Sequence, residues 1–200
     1  MERIAGIILA AGESSRLGED KALLAWGGGT FLGNLVAALK NSPVGLVRVV
    51  LGANAAEVER RVKFGTAEVV VNHDWQKGQL SSLLAALDSL PSGLVEAAVV
   101  CLVDHPCVSS QLIQTLIEKF QESEKLIVLP TYQGRRGHPV LFSAKLFREL
   151  RAAPLEVGAR HVVRQHAGDI LEVATEEEGV VLNIDDREGY EKILRRPPPH

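Results

Sequence analysis

A loop of small and polar residues follows the first apolar run of the chain and is the strongest candidate for chemistry. It reads Leu9-Ala10-Ala11-Gly12-Glu13-Ser14-Ser15-Arg16-Leu17-Gly18-Glu19-Asp20-Lys21. Small residues let backbone N–H groups approach phosphate oxygens, Ser14 adds a donor, and Arg16 and Lys21 can neutralise a leaving pyrophosphate. The loop therefore suits a nucleoside triphosphate, and a surface turn with incidental charges is the alternative.

Two familiar phosphate-binding motifs do not fit this loop. Lys21 does not follow the GxxxxGK[ST] spacing of a P-loop, and the run 27–29 lacks the third glycine of GxGxxG. The sequence therefore indicates a phosphate-binding loop of a different type.

Two aspartates are candidates for a divalent metal site. Asp104 comes directly after the apolar run 97–103, and Asp185 follows residues 180–184, which are predicted to form a strand. Mg²⁺ takes one or two carboxylates together with phosphate oxygens and water, so two strand-end aspartates suffice beside a triphosphate. The alternatives are that Asp104 is a turn residue and that Asp185 and Asp186 cap the last helix.

Cys101, His105 and Cys107 lie near Asp104 in sequence but are not expected to bind zinc. Alternate residues of a strand point to opposite faces and do not converge on one ion. The spacing also matches no zinc ribbon or CxxC pattern, and two cysteines cannot build a disulfide framework. Both cysteines are expected to be buried, and the expected location is a reducing cytoplasm.

Two further polar clusters follow predicted strands. In residues 72–82, Ser81 and Ser82 open a helix whose N-terminus could face a base or a phosphate, and capping by Ser81 explains the pattern equally well. In residues 134–139, Arg135 and Arg136 could bind a phosphorylated acceptor, with a solvated turn as an equal alternative.

Apolar β-branched runs alternate with amphipathic stretches along the chain. This alternation indicates βαβ units, in which helices cover both faces of a mainly parallel sheet. Near-continuous apolar character predicts strands at 4–9, 46–51, 68–71, 97–103 and 126–129, of which the first and the fourth are the most central. Apolar residues at helical spacing predict helices at 31–39, 80–90 and 112–120.

The pattern changes after Pro130. The breakers Gly134, Gly137 and Pro139 indicate an insertion over the sheet, followed by a short strand at 140–142. Helices are predicted at 143–150, 159–166 and 186–194, and strands at 170–174 and 180–184. Residues 1–196 are expected to form a single domain, with 197–200 as a disordered tail.

Length and composition narrow the classes of function. A chain of 200 residues with 46% hydrophobic and 24% charged residues has the size of one domain and enough apolar residues for a core. Its net charge of −3 offers no broad basic surface, so nucleic acid and anionic membranes are not expected as partners. The longest apolar runs, 4–11 and 97–103, are too short to span a bilayer.

The chain resembles the MobA-like NTP transferases, and within them the molybdenum cofactor cytidylyltransferases. Their opening signature, LAAGxSxRxGxxK, is met at Leu9, Ala10, Ala11, Gly12, Ser14, Arg16, Gly18 and Lys21. Later blocks resemble the family's in the same order. They are residues 72–82 for N-x-x-W-x-x-G-x-x-S-S, 104–106 for D-x-P, 137–139 for G-H-P, 158–160 for the end of G-D-x-G-A-R, and 183–185 with Tyr190 for D-I-D-T-P-E-D-Y.

The resemblance implies a three-layer α/β/α Rossmann-like nucleotidyltransferase fold with a mainly parallel mixed sheet. It implies Mg²⁺, with Mn²⁺ as the alternative, at Asp104 and Asp185, and catalytic roles for Arg16, Lys21 and Asp104. The nucleotide-binding residues that it implies are Leu9, Ala10, Ala11, Gly12, Ser14, Arg16, Lys21, Asn72, Gly78 and Ser82. The acceptor-binding residues that it implies are Arg135, Gly137, His138, Pro139 and Arg160.

The chain departs from the family pattern at a few positions. Leu155 and Glu156 stand where G-D-x-G-A-R has Gly and Asp, Asn183 replaces the first Asp of the ending, and Arg187 replaces its proline. These departures weaken the acceptor assignment more than the nucleotide assignment. Ala11, where guanylyltransferase relatives tend to carry LxGG, makes CTP the first choice over GTP.

The implied reaction is attack by the terminal phosphate of molybdopterin on the α-phosphorus of CTP, with release of pyrophosphate. An ionised phosphate needs no general base, so positioning and charge stabilisation suffice. The implied partners are CTP or GTP, molybdopterin or another phosphorylated acceptor, and, transiently, a target molybdoenzyme. The alternatives are a nucleotidyltransferase for another phosphorylated metabolite and a non-catalytic carrier of molybdenum cofactor. Lys21 and Asp104 favour catalysis, because a carrier would not need them.

Overall fold

Apolar β-branched runs form the strands, and amphipathic runs form the helices, within residues 4–14 and 17–196, the part of the chain that the computed structural model describes. The strands are β1 Ile4–Ala10, β2 Ala25–Trp26, β3 Gly29–Thr30, β4 Leu46–Leu51, β5 Glu68–Val71, β6 Ala97–Leu102, β7 Ile127–Tyr132, β8 Arg135–Arg136, β9 Val140–Ser143 and β10 Ile170–Ala174. The expected role of Arg16 and the expected tail at 197–200 concern residues outside this part.

The helices alternate with these strands over most of the chain. They are α1 Phe31–Lys40, α2 Ala55–Arg61, α3 Gln79–Asp88, α4 Ser110–Gln121, α5 Phe147–Ala152, α6 Arg160–Gln165 and α7 Arg187–Leu194. Short 3-10 turns lie at Lys21–Leu23, Trp75–Lys77, Ala144–Leu146, Ala167–Asp169 and Glu178–Val181. Among the described residues, no helix combines the length and the apolar character that crossing a membrane requires.

The main sheet is mixed and mostly parallel, with the order β10-β7-β9-β6-β1-β4-β5. β1 pairs in parallel with both β4 and β6, and β9 is antiparallel to both β6 and β7. β8 pairs with β7, while β2 and β3 form a separate hairpin. The strands predicted to be central, β1 and β6, are adjacent in the middle of the sheet, which confirms that expectation.

Strand alternation divides the core into two layers, one on each face of the sheet. Ile8 and Ala10 of β1 pack on the face covered by α1 and α4, whereas Ile7 and Leu9 pack on the face covered by α3, α5 and α6. All residues of β1 are buried, as expected for a strand covered on both sides. The predicted three-layer α/β/α architecture is confirmed.

A third apolar cluster attaches α7 to the β2–β3 hairpin. Its buried members are Leu24, Trp26, Phe31, Cys107, Ile184 and Ile193. The Tyr190 hydroxyl donates to the Ala25 carbonyl at 2.8 Å, and the Tyr190 ring packs edge-on against Phe31 at 5.8 Å between centroids. These contacts hold the segment before α7, which carries Asp185, against the first half of the chain.

Three sequence-based expectations about the fold are wrong. Residues 180–184 do not form a strand. Glu178–Val181 is a 3-10 turn, and its Val180 carbonyl accepts a hydrogen bond from the His138 N–H. The segment after Pro130 is not an insertion over the sheet, because β9 lies inside the sheet between β6 and β7. The strand expected to stop before Pro130 continues to Tyr132, since Pro130 still offers its carbonyl to Gly137.

His166 ties the end of α6 to α5. Its Nε2 lies 2.7 Å from Glu149 Oε2, and its Nδ1 lies 3.0 Å from Asp169 Oδ2. The hydrogen bond with Asp169, and after it the one with Glu149, raises the pKa of His166 above its ordinary value of 6.5.

We expect the His166→Gln variant to lose stability mainly at low pH. Because the folded-state pKa is raised, the stabilising contribution of His166 is complete below the unfolded-state value and is lost as pH rises through the folded-state value. Urea denaturation from about pH 5 to 8.5 should show the two proteins converging as the pH rises. The control is His73→Gln, at an exposed position. A pH-independent difference for His166→Gln would contradict this assignment.

Candidate active site

A cavity of about 390 Å³ opens at the carboxyl ends of β1 and β6. This is the edge at which α/β sheets bind their ligands. The structure brings to this cavity nine residues that the sequence predicted to act together: Leu9, Ala11, Gly12, Ser14, Lys21, Gly78, Ser82, Asp104 and Asp185. They come from four separate parts of the chain.

The loop after β1 is held by its own side chains. Ser14 adopts a left-handed backbone conformation with φ of 56°, and its Oγ accepts a hydrogen bond from the Lys21 backbone N–H at 2.9 Å. Asp20, which is buried, accepts from the Ala22 N–H and from Asn54 Nδ2, each at 2.9 Å. The backbone of Lys21 is therefore fixed from both sides.

Gly12 differs from glycines that the fold requires, because the chain leaves open space where its side chain would be. A Cβ at Gly12 would meet no atom within 4 Å, and its φ lies outside the left-handed region. Neither the backbone nor the packing of the chain therefore requires glycine here. Because Gly12 lines the cavity, the absent side chain leaves room for a ligand to approach the backbone.

Lys21 joins the two candidate metal ligands. Its Nζ lies 2.6 Å from Asp185 Oδ1 and 4.0 Å from Asp104 Oδ2. The Ile184 N–H donates to the Asp104 carbonyl at 2.8 Å, which aligns the two acidic segments. Burial raises the pKa of Asp104, and the Lys21 ammonium acts in the opposite direction.

The donor set at this point suits a hard divalent cation. Asp104 and Asp185 offer carboxylate oxygens to the same cavity that contains the phosphate-binding candidates. No cluster of three or more His, Cys, Asp or Glu suited to a metal occurs in residues 4–14 and 17–196. Two carboxylates are nevertheless enough for Mg²⁺ or Mn²⁺ when phosphate oxygens and water complete the coordination.

Asn72 organises the opposite wall from behind the cavity. Its buried amide donates from Nδ2 to Ser81 Oγ at 2.9 Å and to Ser82 Oγ at 3.0 Å, and its Oδ1 accepts from the Asp74 N–H at 2.9 Å. Asn72 does not line the cavity, so it positions Ser82, which does. Ala10, the last residue of β1, likewise lies outside the cavity, in the core layer beneath α1.

The N-terminus of α3 begins at Gly78. This residue has φ of 96° and ψ of 177°, a conformation that only glycine adopts readily. Capping by Ser81 is therefore wrong, because the Ser81 hydroxyl donates to the Gly78 carbonyl at 2.8 Å. Gly78 itself lines the cavity, together with Ser82 of the same helix.

Sequence reasoning did not assign four residues that also line the cavity: Trp75, Gln76, Gln79 and Val103. The available signal was their position inside or beside the two motifs, since Trp75 is the tryptophan of the 72–82 block. A Cβ at Gly52 would overlap the Ala11 carbonyl and Trp75 Cβ. Gly52 thus lets the wall that contains Ala11 approach the wall that contains Trp75. This contact between distant segments cannot be predicted from the local sequence.

The predicted acceptor residues form a second group, outside this cavity. The rings of His138 and His105 lie 4.5 Å apart between centroids, and the His138 N–H donates to the Val180 carbonyl at 2.8 Å. Burial lowers the pKa of each imidazole to about 4. The charges of Asp104 and Arg160 both act on His138, so His138 links this group to the carboxylates. A base with such a pKa is a poor proton acceptor near neutral pH.

The two arginines before His138 differ in their contacts. Arg136 donates from Nε and Nη2 to Glu172 Oε1, at 2.8 and 2.6 Å. The exposed Arg135 side chain has no hydrogen bond or ion pair with the described residues. Arg135 is therefore the arginine available to a ligand, and the acceptor group continues through Gly137, His138 and Pro139 into β9.

Cys101 and Cys107 are both buried free thiols, as expected. Burial raises the pKa of each thiol to about 12, so neither is ionised at neutral pH. The two residues contribute to packing: Cys101 belongs to the core layer beneath α1 and α4, and Cys107 to the cluster that contains Ile184.

The protein has an α/β fold whose cavity, at the carboxyl edge of the sheet, combines a loop of small residues with one lysine and two carboxylates. The sequence profile of the MobA-like NTP transferase domain matches residues 6–170. The chain belongs to this family of nucleotidyltransferases.

Curated relatives cover almost the whole chain but carry different names. The chain is 32% identical to nicotine blue oxidoreductase of Paenarthrobacter nicotinovorans, with 96% of each protein covered. It is 28% identical to molybdenum cofactor cytidylyltransferase of Escherichia coli (strain K12) and 33% identical to a probable molybdenum cofactor guanylyltransferase of Bacillus cereus (strain G9842), with 95% of each protein covered in both cases. Family membership alone therefore does not determine the nucleotide or the acceptor.

Solved structures share the fold over their full length. The Rv0371c protein of Mycobacterium tuberculosis H37Rv superposes with a TM-score of 0.86 at 27% identity, covering 97% of this chain and 98% of that one. A second structure of that protein is a complex with manganese, and it matches with a TM-score of 0.78 at 26% identity, covering 96% and 98% of the two chains.

We expect Gly137→Ala to destabilise the protein by about 1–3 kcal/mol. An added Cβ would overlap the Val180 carbonyl, which also accepts the His138 N–H, so the strand and the turn must separate. Gly168→Ala is the matched control, because a Cβ there meets nothing within 4 Å and should change stability by less than about 0.5 kcal/mol. Urea denaturation measures both, and equal effects would contradict the close packing at Gly137.

Proposed function

We propose that the protein transfers CMP from CTP to the terminal phosphate of molybdopterin or molybdenum cofactor, with Mg²⁺ and with release of pyrophosphate. The observation that carries this proposal is the arrangement of one cavity, in which Gly12 and Ser14 face Lys21, Asp104 and Asp185. A leaving pyrophosphate, a divalent cation and an incoming phosphate all need the chemistry that these groups provide.

The nucleotide phosphates are assigned to the loop after β1. Gly12 leaves its backbone accessible, and the fixed backbone of Lys21 lets its ammonium reach negative charge inside the cavity. Arg16, outside the described residues, is the second cation of the same motif. Positive charge close to the β- and γ-phosphates stabilises the charge that develops as pyrophosphate leaves.

The divalent cation is assigned to Asp104 and Asp185. When bound there, it would supply charge neutralisation between the α-phosphate and the attacking oxygen. Asp104 reaches the cavity from the end of β6, and Asp185 from the segment before α7. The two side chains come from separate parts of the chain, and the acceptor phosphate, already ionised, attacks without a general base.

The choice of CTP rests on Ala11. Ala11 is among the residues that line the cavity, and a methyl group at this position leaves less space than the glycine of LxGG sequences. The smaller pyrimidine fits such a restriction better than guanine does. The relatives include proteins named for cytidylyl and for guanylyl transfer, so a direct comparison of CTP with GTP decides the base.

The acceptor is assigned to the group around His138. Arg135 offers a guanidinium that binds no described residue and can accept a phosphate as partner, and Arg160 adds positive charge near His138. Another phosphorylated metabolite would satisfy the same chemistry, and so would binding of the finished cofactor by a carrier. Contact with a target molybdoenzyme and a cytoplasmic location remain predictions from the sequence.

We expect the purified protein to release pyrophosphate from CTP faster than from GTP when molybdopterin and Mg²⁺ are present. Asp104→Asn should lower kcat by about 100-fold or more, because one oxygen ligand and one charge are lost where charge develops. A coupled pyrophosphate assay measures both expectations. The control is Asp88→Asn, whose carboxylate pairs with Arg151 on the surface and should leave the rate unchanged.

The same assay separates the competing functions. Faster release with GTP would assign the protein to guanylyl transfer, and release only with another phosphorylated acceptor would replace molybdopterin. Binding of molybdenum cofactor without any pyrophosphate release would favour the carrier. A normal rate for Asp104→Asn would remove Asp104 from the mechanism.

We expect Arg135→Ala to raise the KM of the acceptor by about tenfold and to leave the KM of CTP unchanged, since one charge-assisted contact to phosphate is lost. Arg136→Ala is the matched control. Its guanidinium is already bound to Glu172, so the acceptor KM should change by less than about twofold. Steady-state kinetics with the acceptor varied at saturating CTP, and with CTP varied at saturating acceptor, measures the two constants for both variants. An unchanged acceptor KM for Arg135→Ala would identify that arginine as part of a solvated turn.

A further inference from the structure

Both oxygens of the Asp185 carboxylate are already engaged by donors from the chain. Oδ1 lies 2.6 Å from the Lys21 ammonium, and Oδ2 accepts a hydrogen bond from Asn183 Nδ2 at 2.6 Å. A cation that uses Asp185 as a ligand therefore competes with these donors for the carboxylate. The donors differ in charge, since Lys21 is a cation and Asn183 is neutral.

The two donors also differ in how freely they can move. Asn183 lies two residues before Asp185, and the hydrogen bond from Ile184 N–H to the Asp104 carbonyl fixes the backbone between them. Lys21 is anchored at its backbone by Ser14, but its ammonium is at the end of a flexible four-carbon chain. Lys21 is therefore the donor that can leave without disturbing the loop.

The cavity offers Lys21 a second place for its charge. Gly12 and Ser14 line the same space as Lys21 and the carboxylates, and the proposed function puts the nucleotide phosphates against them. Phosphates carry more negative charge than the single carboxylate that Lys21 would give up. A nucleotide in the cavity therefore lowers the cost of separating Lys21 from Asp185.

We propose that Lys21 is an internal counter-ion for Asp104 and Asp185, which competes with divalent cations until nucleotide phosphates draw its ammonium away. This inference rests on the proposed function and adds a dependence of metal binding on nucleotide. The ammonium offsets the repulsion between two carboxylates in a partly buried cavity. Because the ammonium competes with the cation, metal binds weakly in the absence of nucleotide and more tightly in its presence.

The test measures Mn²⁺ binding to the full-length protein without nucleotide, using electron paramagnetic resonance of free Mn²⁺. Lys21→Met should bind Mn²⁺ about tenfold or more tightly than the wild type, the effect expected for removing one charge-assisted contact. Lys21→Gln, which keeps a polar side chain, should behave the same way. Asp104→Asn in the Lys21→Met background should abolish the gain, which ties it to this site.

The control for long-range charge is Lys77→Met. Lys77 follows the cavity-lining Gln76 but forms its ion pair with Asp74, so its removal should change Mn²⁺ affinity by less than about twofold. Equal gains for Lys21→Met and Lys77→Met would overturn direct competition. No gain for either Lys21 variant would overturn the proposal as well.

A second measurement tests whether phosphates attract Lys21. With a chelator present, CTP alone should raise the Tm of the wild type and raise that of Lys21→Met much less. Equal shifts would overturn this part of the proposal. Failure here leaves the proposed function standing if pyrophosphate is still released, whereas wild-type protein that releases none refutes the function independently of Lys21.

Discussion

Two like-charged carboxylates, Asp104 and Asp185, lie in one partly buried cavity, and the fold must hold them there against their repulsion. The hydrogen bond from the Ile184 N–H to the Asp104 carbonyl aligns the segments that carry them. The Lys21 ammonium, which lies within 4.0 Å of both carboxylates, offsets their negative charge. The loop after β1, the central strands and the last helix together bring these three residues to one cavity.

The central strands do most of this positioning. β1 and β6 are adjacent, parallel and aligned from Ile4 opposite Ala97 to Leu9 opposite Leu102, so the loop after β1 and Asp104 leave the sheet at the same edge. Asp185 is positioned in a different way. It belongs to no strand, and α7 brings it to the cavity by packing Ile193 and Tyr190 against the β2–β3 hairpin. Asp104 follows a buried central strand, whereas Asp185 is held by the side-chain contacts of α7.

Local pattern predicted the parts of the fold that bury continuous apolar runs, such as β1, β6 and α4. It missed α2, where Val58 is the buried residue of a helix that is otherwise mostly polar. It wrongly predicted a strand at residues 180–184. An apolar run has the same composition whether its carbonyls accept hydrogen bonds within a sheet or, as at Val180, from the His138 N–H. The ion pair between Lys21 and Asp185 joins residues 164 positions apart, so the motifs identified both residues while their contact required the fold.

The relatives carry names for different activities, and the two halves of the proposed site differ in burial in a way that agrees with this variety. The proposed nucleotide half lies at the ends of β1 and β6, buried strands in which a substitution would disturb the packing of the core. The proposed acceptor half lies on β8, β9 and the turn before α6, where Leu155 is 40% exposed and the Arg135 side chain has no hydrogen bond or ion pair with a described residue. Changes such as Leu155 and Glu156 cost little stability at such positions. A change of acceptor, or of reaction, can therefore arise on this side of the carboxylates while the loop after β1 stays the same.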